Sequence, residues 1–139
     1  MKLLPSSKIY IGESKIPNAR RGVFALQDIK KDELIERCPI ILLNESQVSD
    51  LRKTELVNYY FMWGGDKHNH KAAICLGFGS IYNHSYNPDA AYVKEINDLF
   101  IDFIALNDIK MNEEITINYN YGNPKDKTTL WIKSIPPAK

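Results

Sequence analysis

Seven short apolar runs, rich in β-branched and aromatic residues, recur along the chain at 9–11, 22–25, 34–43, 72–76, 90–96, 99–106 and 115–121, most of them bounded by Gly, Pro, Asn or Asp. Runs of that length between turn-forming residues are the pattern of β-strands, because helices repeat their apolar positions every three or four residues. One segment departs from it. Over 45–62, Val48, Leu51, Leu56, Tyr59 and Tyr60 fall at roughly helical spacing, with Asn44 or Ser46 placed as an N-cap. The expected fold is mainly β with one or two short helices. A chain of 139 residues that is 44% hydrophobic is sized for one domain, 1–139, that buries its own core.

The chain also repeats itself. Residues 25–35, Ala-Leu-Gln-Asp-Ile-Lys-Lys-Asp-Glu-Leu-Ile, return at 105–115 as Ala-Leu-Asn-Asp-Ile-Lys-Met-Asn-Glu-Glu-Ile, identical at seven of eleven positions. Each copy reads as the end of a strand, an Asp/Asn/Lys turn and the start of another strand. Two copies are too few for a solenoid, so the expectation is two similar corners in one β-rich fold. Gly122-Asn123-Pro124 marks a break, and Pro136-Pro137 leaves a short polar tail expected to fray.

Charge excludes some functions. The 18 basic and 17 acidic residues are interspersed and sum to +1, which provides no electrostatic footprint for nucleic acid or an anionic membrane. No stretch approaches the roughly 20 apolar residues of a membrane span, and the N-terminus lacks a secretory apolar core, so a soluble intracellular protein is expected. Cys38 and Cys75 sit among apolar neighbours and are expected to be buried free thiols. Lys67-His68-Asn69-His70 has the His-x-His spacing of a metal site or nuclease string. It follows Gly64-Gly65-Asp66 and precedes a strand, however, and reads as a solvated hairpin loop with no evident further ligands.

The densest polar stretch is Ser80-Ile81-Tyr82-Asn83-His84-Ser85-Tyr86-Asn87-Pro88-Asp89. On its own it is a turn, since a residue before proline is pushed out of helical geometry and Asn bonds nearby backbone readily. In 115–119, alternation puts Ile115, Ile117 and Tyr119 on one face, so Tyr119 is expected on the apolar side.

Taken together, these segments resemble a known family. Asn83-His84-Ser85-Tyr86-Asn87-Pro88 is similar to the Asn-His-Ser-x-x-Pro signature of SET-domain protein lysine methyltransferases, and Glu113-Glu114-Ile115-Thr116-Ile117-Asn118-Tyr119 to their closing Glu-Glu-Leu-Thr-Phe-Asp-Tyr motif. Upstream, Arg21-Gly22-Val23-Phe24-Ala25 and Ile29-Lys30-Lys31-Asp32-Glu33-Leu34-Ile35 resemble Gly-x-Gly-Val-Phe-Ala and Ile-x-x-Gly-Glu-x-Ile. The motifs stand in the family's order over 8–122, with 123–139 as a closing segment.

The resemblance implies a β-clip-like fold of small curved sheets with a C-terminal pseudoknot that joins Asn83-His84 to Tyr119. It also implies S-adenosylmethionine as methyl donor to a lysine of a protein substrate such as a histone. By position, Tyr119 matches the catalytic tyrosine, and Arg20, Arg21, Gly22, Asn83 and His84 the cofactor segments. Tyr92, Ile117 and Tyr121 match the lysine channel, and Trp131 an aromatic that closes over adenine or channel. Arg20 stands where the family commonly has glycine, Asp89 where it has asparagine, and Ile117 where it often has phenylalanine. Ile117 beside Tyr92 points to mono- or dimethylation. The zinc-binding cysteine cluster of many members is absent, so closure over the cofactor falls to 121–135 or to a partner, with a homodimer left open. The altered loop at Arg20 keeps a second reading in view, a SET-like interaction module without catalysis.

Overall fold

The computed structural model describes residues 2–120 and 123–139. Among the described residues nine strands form two sheets: β1 (Ile9–Glu13), β2 (Arg21–Ala25), β3 (Leu34–Leu43), β4 (Phe61–Trp63), β5 (Lys71–Cys75), β6 (Asn83–His84), β7 (Ala90–Glu95), β8 (Phe100–Ala105) and β9 (Glu114–Ile117). The four-stranded sheet runs β1-β2-β9-β6 and the five-stranded sheet β4-β5-β3-β8-β7. β3 is long enough to pair with β8 over its first half and β5 over its second. Ile9, Val23, Ile115 and Ile117 from one sheet pack with Ile35, Cys38, Ile101 and Phe103 from the other. The core therefore lies between the sheets, and apolar burial there is the main stabilising term.

The internal repeat turns out to be the junction between those sheets. The first copy carries the chain from β2 to β3, and the second carries it back from β8 to β9. The two copies bond to each other reciprocally. Ile29 and Ile109 exchange both backbone bonds, at 2.7 and 2.8 Å. The Asp32 N–H donates to Ala105 O and the Asn112 N–H to Ala25 O, while Ala105 N–H donates to Glu33 O and Ala25 N–H to Glu113 O. The Asp108 carboxylate accepts from Lys31 N–H, and the Asp28 carboxylate from Met111 N–H, both at 2.9 Å. Exchanging the two segments maps each bond onto another, so the corners form an approximate two-fold pair. Asp32 and Asn112 both have φ of 70°, a left-handed geometry that Asp and Asn tolerate better than most residues.

The sequence misplaces one element. The helix expected over 45–62 is only α1 (Glu45–Leu51), after which a 3-10 turn runs Glu55–Asn58 and β4 begins at Phe61. Asn44 is the N-cap, its N–H donating to Gln47 Oε1. Thr54 starts the 3-10 turn by accepting from Leu56 N–H, an Ser/Thr cap that competes with continued helix. Tyr59 and Tyr60 keep a helix-like spacing because a 3-10 turn also returns side chains to one side every three residues. The strand expected over 115–121 ends at Ile117, since Asn118 turns its amide onto Pro124 O and Asp126 O and accepts from Asn120 N–H.

The histidine loop needs a second correction. It does connect β4 to β5, with Gly64 and Gly65 both at φ 65°. His70, however, is buried, with Nδ1 2.8 Å from Asp66 O and Nε2 3.1 Å from Tyr60 Oη. It is a tether for the loop, whose other residues, 64–69 with His68 among them, are exposed as expected. Among the described residues no group of three or more His, Cys, Asp or Glu side chains is arranged to hold a metal. Cys38 and Cys75 are buried free thiols, as expected. No helix is long and apolar enough to cross a membrane, among the described residues.

Ile109 is 1% exposed at the corner junction. Ile109→Ala is expected to lower the unfolding free energy by about 2–5 kcal/mol, and Ile29→Ala by a similar amount because it is the symmetry-related side chain. Urea denaturation followed by tryptophan fluorescence measures both.

Candidate functional site

Asn83 and His84 reach the site through β6, which pairs in parallel with β9 at Asn83–Thr116 and His84–Ile117. A two-residue strand has little stability of its own. It is held by Ser85 N–H donating to Ile117 O at 2.9 Å and by Tyr119 N–H donating to His84 Nδ1 at 3.0 Å. That second bond makes Nδ1 an acceptor, so the neutral imidazole carries its proton on Nε2. Burial supports the neutral form by holding the pKa of His84 down at about 4.

Asn83 is fixed from the other side. Its amide Nδ2 donates to Arg21 O and to Glu114 Oε2, both at 2.8 Å, and the second Glu114 oxygen accepts from Ser14 Oγ at 2.6 Å. The Glu114 carboxylate thus ties the loop between β1 and β2 to β6. Gly22 is needed for that tie, since a Cβ there would run into the Glu114 carboxylate and lie 2.9 Å from Asn83 Nδ2. Its glycine makes room for protein side chains. Arg20 has φ of 66°, so the position preferred as glycine keeps its left-handed backbone with a bulky side chain on it.

The Tyr119 hydroxyl donates to Tyr82 O at 2.6 Å. Burial, with Tyr59 and Glu114 nearby, pushes its pKa above the usual phenol value, so the phenol stays protonated. With its proton committed to Tyr82, its oxygen lone pairs are left as acceptors. Tyr82 is itself locked: its ring stacks on Phe103 at 4.5 Å between centroids, and its hydroxyl donates to Glu36 Oε1 at 2.9 Å.

Two cavities meet at Tyr119. A cleft of about 750 Å3 is lined by Arg21, Asn83, His84, Tyr86 and Tyr119 and bordered by the 132–139 segment. A narrower cavity of about 210 Å3 is lined by Tyr59, Tyr60, Phe61, Tyr82, Tyr92, Ile117, Tyr119 and Trp131, with Arg52 and Lys94. Asn58, Tyr59, Ser80 and Tyr119 border both. In the larger cleft two buried polar atoms, His84 Nε2 and Tyr86 Oη, have no hydrogen-bond partner among the described residues. Buried polar groups without partners are rare, and a ligand that supplies donors and acceptors would satisfy them.

The structure gathers most of the residues expected from the sequence. Arg21, Asn83, His84 and Tyr119 line the cleft, and Tyr92, Ile117, Tyr119 and Trp131 the narrow cavity. Arg20 and Gly22 line neither and act from behind, through backbone geometry and the Glu114 tie. Trp131 stands at the narrow cavity rather than over the cleft, and Tyr121 lies outside the described residues. The 132–139 segment, which includes the tail after Pro136-Pro137, borders the cleft. Sequence reasoning missed Asn58, Tyr59, Ser80, Tyr82 and Glu114. Tyr59 was absorbed into a helix pattern, and the essential Tyr82 atom is a backbone carbonyl, which no side-chain pattern reveals.

Residues 20–120 match the family model of the SET domain. The chain is 31% identical over 100 residues to a Schizosaccharomyces pombe histone-lysine N-methyltransferase specific for histone H3 lysine-37, covering 71% of this chain and 65% of that relative's length. The crystal structure of a candidate histone methyltransferase from Plasmodium falciparum superposes with a TM-score of 0.66 at 34% identity, covering 82% of this chain and 94% of that one. Chaetomium thermophilum Polycomb repressive complex 2 bound to S-adenosylmethionine superposes with a TM-score of 0.68 at 18% identity, over 87% of this chain and 16% of that one, a likeness of fold alone.

Two outcomes test the geometry. As pH falls from 6.5 towards 4, an unfolded His84 takes up a proton that the folded imidazole refuses. The stability His84 contributes is therefore complete above 6.5 and lost as pH falls through that window. The melting temperature of the wild-type chain should drop more steeply between about pH 7 and about pH 5 than that of His84→Asn. Separately, Arg20→Gly relieves a left-handed side-chain clash and is expected to raise stability by up to about 1 kcal/mol in chemical denaturation.

Proposed function

Because the chain belongs to the SET-domain family, we propose that it is an S-adenosylmethionine-dependent protein lysine N-methyltransferase, the larger cleft holding the cofactor and the narrow cavity admitting the lysine. The observation that carries this reading is the meeting of the two cavities at Tyr119. A group transfer needs its donor and acceptor on opposite sides of one short passage, and here a phenol borders that passage. The two unpartnered polar atoms, His84 Nε2 and Tyr86 Oη, fit a polar ligand in the cleft. Arg21, Asn83, His84 and Tyr86 would hold it there. When bound, S-adenosylmethionine supplies a sulfonium-activated methyl group.

The chain's own residues do the rest. Methyl transfer is an in-line displacement, so much of the rate comes from aligning the attacking amine. The aromatic walls formed by Tyr59, Phe61, Tyr82 and Tyr92 exclude water and restrict approach to one direction. A free lysine has a pKa of about 10.4, and desolvation between such walls disfavours its ammonium form, so no strong base is required. The Tyr119 oxygen accepts from the amine and orients its lone pair. It can also accept weak C–H contacts from the reacting methyl, each worth about 0.5–1 kcal/mol.

The protein substrate we propose is a histone or another lysine-bearing protein in an intracellular compartment, in keeping with the S. pombe relative's specificity for a histone lysine. Ile117 and Tyr92 both line the narrow cavity, whose volume is about 210 Å3, and we assign the product as mono- or dimethyllysine, because so narrow an aromatic-walled space limits the bulk that the amine can carry.

Tyr119→Phe keeps the ring but removes the hydroxyl. It is expected to lower turnover about hundredfold while reducing stability by only about 1 kcal/mol, measured by transfer of labelled methyl and by thermal melting. Calorimetric titration should give micromolar binding of S-adenosylmethionine to both proteins. Unchanged turnover in Tyr119→Phe would overturn the catalytic assignment, and absence of binding to the wild-type chain would favour an interaction module.

A further inference from the structure

The narrow cavity carries charge of one sign. Arg52 and Lys94 line it, and none of its lining residues is an aspartate or glutamate. Neither cation has an ion pair, since the pairs among the described residues involve Lys8, Arg37 and Lys53. Arg52, the C-cap residue of α1, is exposed, and its guanidinium makes no hydrogen bond to a described residue. Lys94, on β7, is half-buried. Its Nζ donates to Met62 O at 2.5 Å and stands 5.9 Å from the Tyr92 ring centroid. Burial lowers its pKa, as expected of an ammonium withdrawn from water without a counter-charge.

This arrangement suits the reaction but not every substrate. Two cations beside the passage disfavour the ammonium form of an entering lysine, which assists loss of its proton. They also repel the peptide that delivers it. A carboxylate on that peptide close to the lysine removes the repulsion by meeting Arg52 at the rim. In an extended peptide, side chains two residues apart lie on one face about 7 Å from each other, within reach of an arginine.

Resting on the methyltransferase reading, we infer that the chain selects lysines that have an aspartate or glutamate within two residues, with Arg52 and Lys94 as the specificity-determining pair. Lysines embedded in arginine- or lysine-rich sequence are disfavoured. Exposed ion pairs of this kind change affinity by about two- to fivefold each, and the preference should fade at about 0.5 M salt, where such charges are screened.

The test uses the full chain, labelled S-adenosylmethionine and three single-lysine peptides, identical except that the flanking residues are Glu, Ser or Arg. Methyl transfer is measured alongside peptide binding by fluorescence anisotropy. Expected are a kcat/KM for the Glu peptide about fivefold above the Ser peptide, the Arg peptide lowest, and the same order in binding. Arg52→Glu should exchange the order of the Glu and Arg peptides. Methyl transfer that is equal among peptides, or highest for the Arg peptide and unmoved by Arg52→Glu, overturns this inference and leaves the methyltransferase reading standing. Binding that favours the Glu peptide with no transfer to any peptide overturns the methyltransferase reading alone. Absence of both transfer and binding with all three peptides overturns both readings.

Discussion

The reciprocal backbone bonds between Ile29 and Ile109 are the constraint on which the rest of the structure depends. They sit where the chain crosses between the two sheets, once leaving the four-stranded sheet after β2 and once returning to it before β9. Because each corner supplies the other's partners, the two crossings are fixed together. Loss of one leaves buried N–H and C=O groups in the other unsatisfied, which costs more than a single bond is worth. The register of β9 against β2 follows from this clasp, with Val23 opposite Ile115. That register in turn decides where Tyr119 emerges.

From that anchored strand the site is assembled by backbone groups, by lining side chains bonded to neighbouring segments, and by Ser14, Glu36 and Glu114 outside the cavities. β9 holds β6 in parallel, and the His84 imidazole and the Tyr119 N–H then lock the two segments 35 residues apart in sequence. Glu114 draws in the first loop through Ser14 and through Asn83, whose amide also donates to Arg21 O. Tyr82 offers one carbonyl to Tyr119 and its phenol to Glu36. Tyr119 is thus preorganised by the His84 imidazole and the Tyr82 carbonyl, each fixed in turn by its own partners, an arrangement that supports positional precision at the reacting centre.

Glycine positions show how the fold tolerates departures from a family pattern. Arg20 and Asp32 both fall on glycine positions of the motifs that the sequence resembles, and both keep positive φ, at 66° and 70°. The backbone path is preserved and the cost is local, of the order of 1 kcal/mol each. Gly22 is different. No larger residue fits, because the Glu114 carboxylate and the Asn83 amide occupy the space of its Cβ. A glycine kept for conformation can be replaced at modest cost, whereas one kept for contact cannot.

The sequence by itself determined the β-rich class, the strands around Val23, Ile35, Ala73, Tyr92, Phe103 and Ile115, the buried thiols and seven of the side chains that line the two cavities. Those features are local or follow from a periodicity of two. It also displayed the duplicated corner, but not that the copies clasp each other. Only the tertiary structure decided that pairing, the early end of α1, the burial of His70, the retreat of Arg20 and Gly22 behind the site, and the contributions of Tyr59, Ser80 and the Tyr82 carbonyl. The corner pairing and the Tyr82 carbonyl join groups 80 and 37 residues apart, and even the nearer contacts of Thr54 and His70 depend on where the surrounding strands place them. Such encounters are selected by the global balance of buried apolar surface and satisfied hydrogen bonds, which no short window of sequence contains.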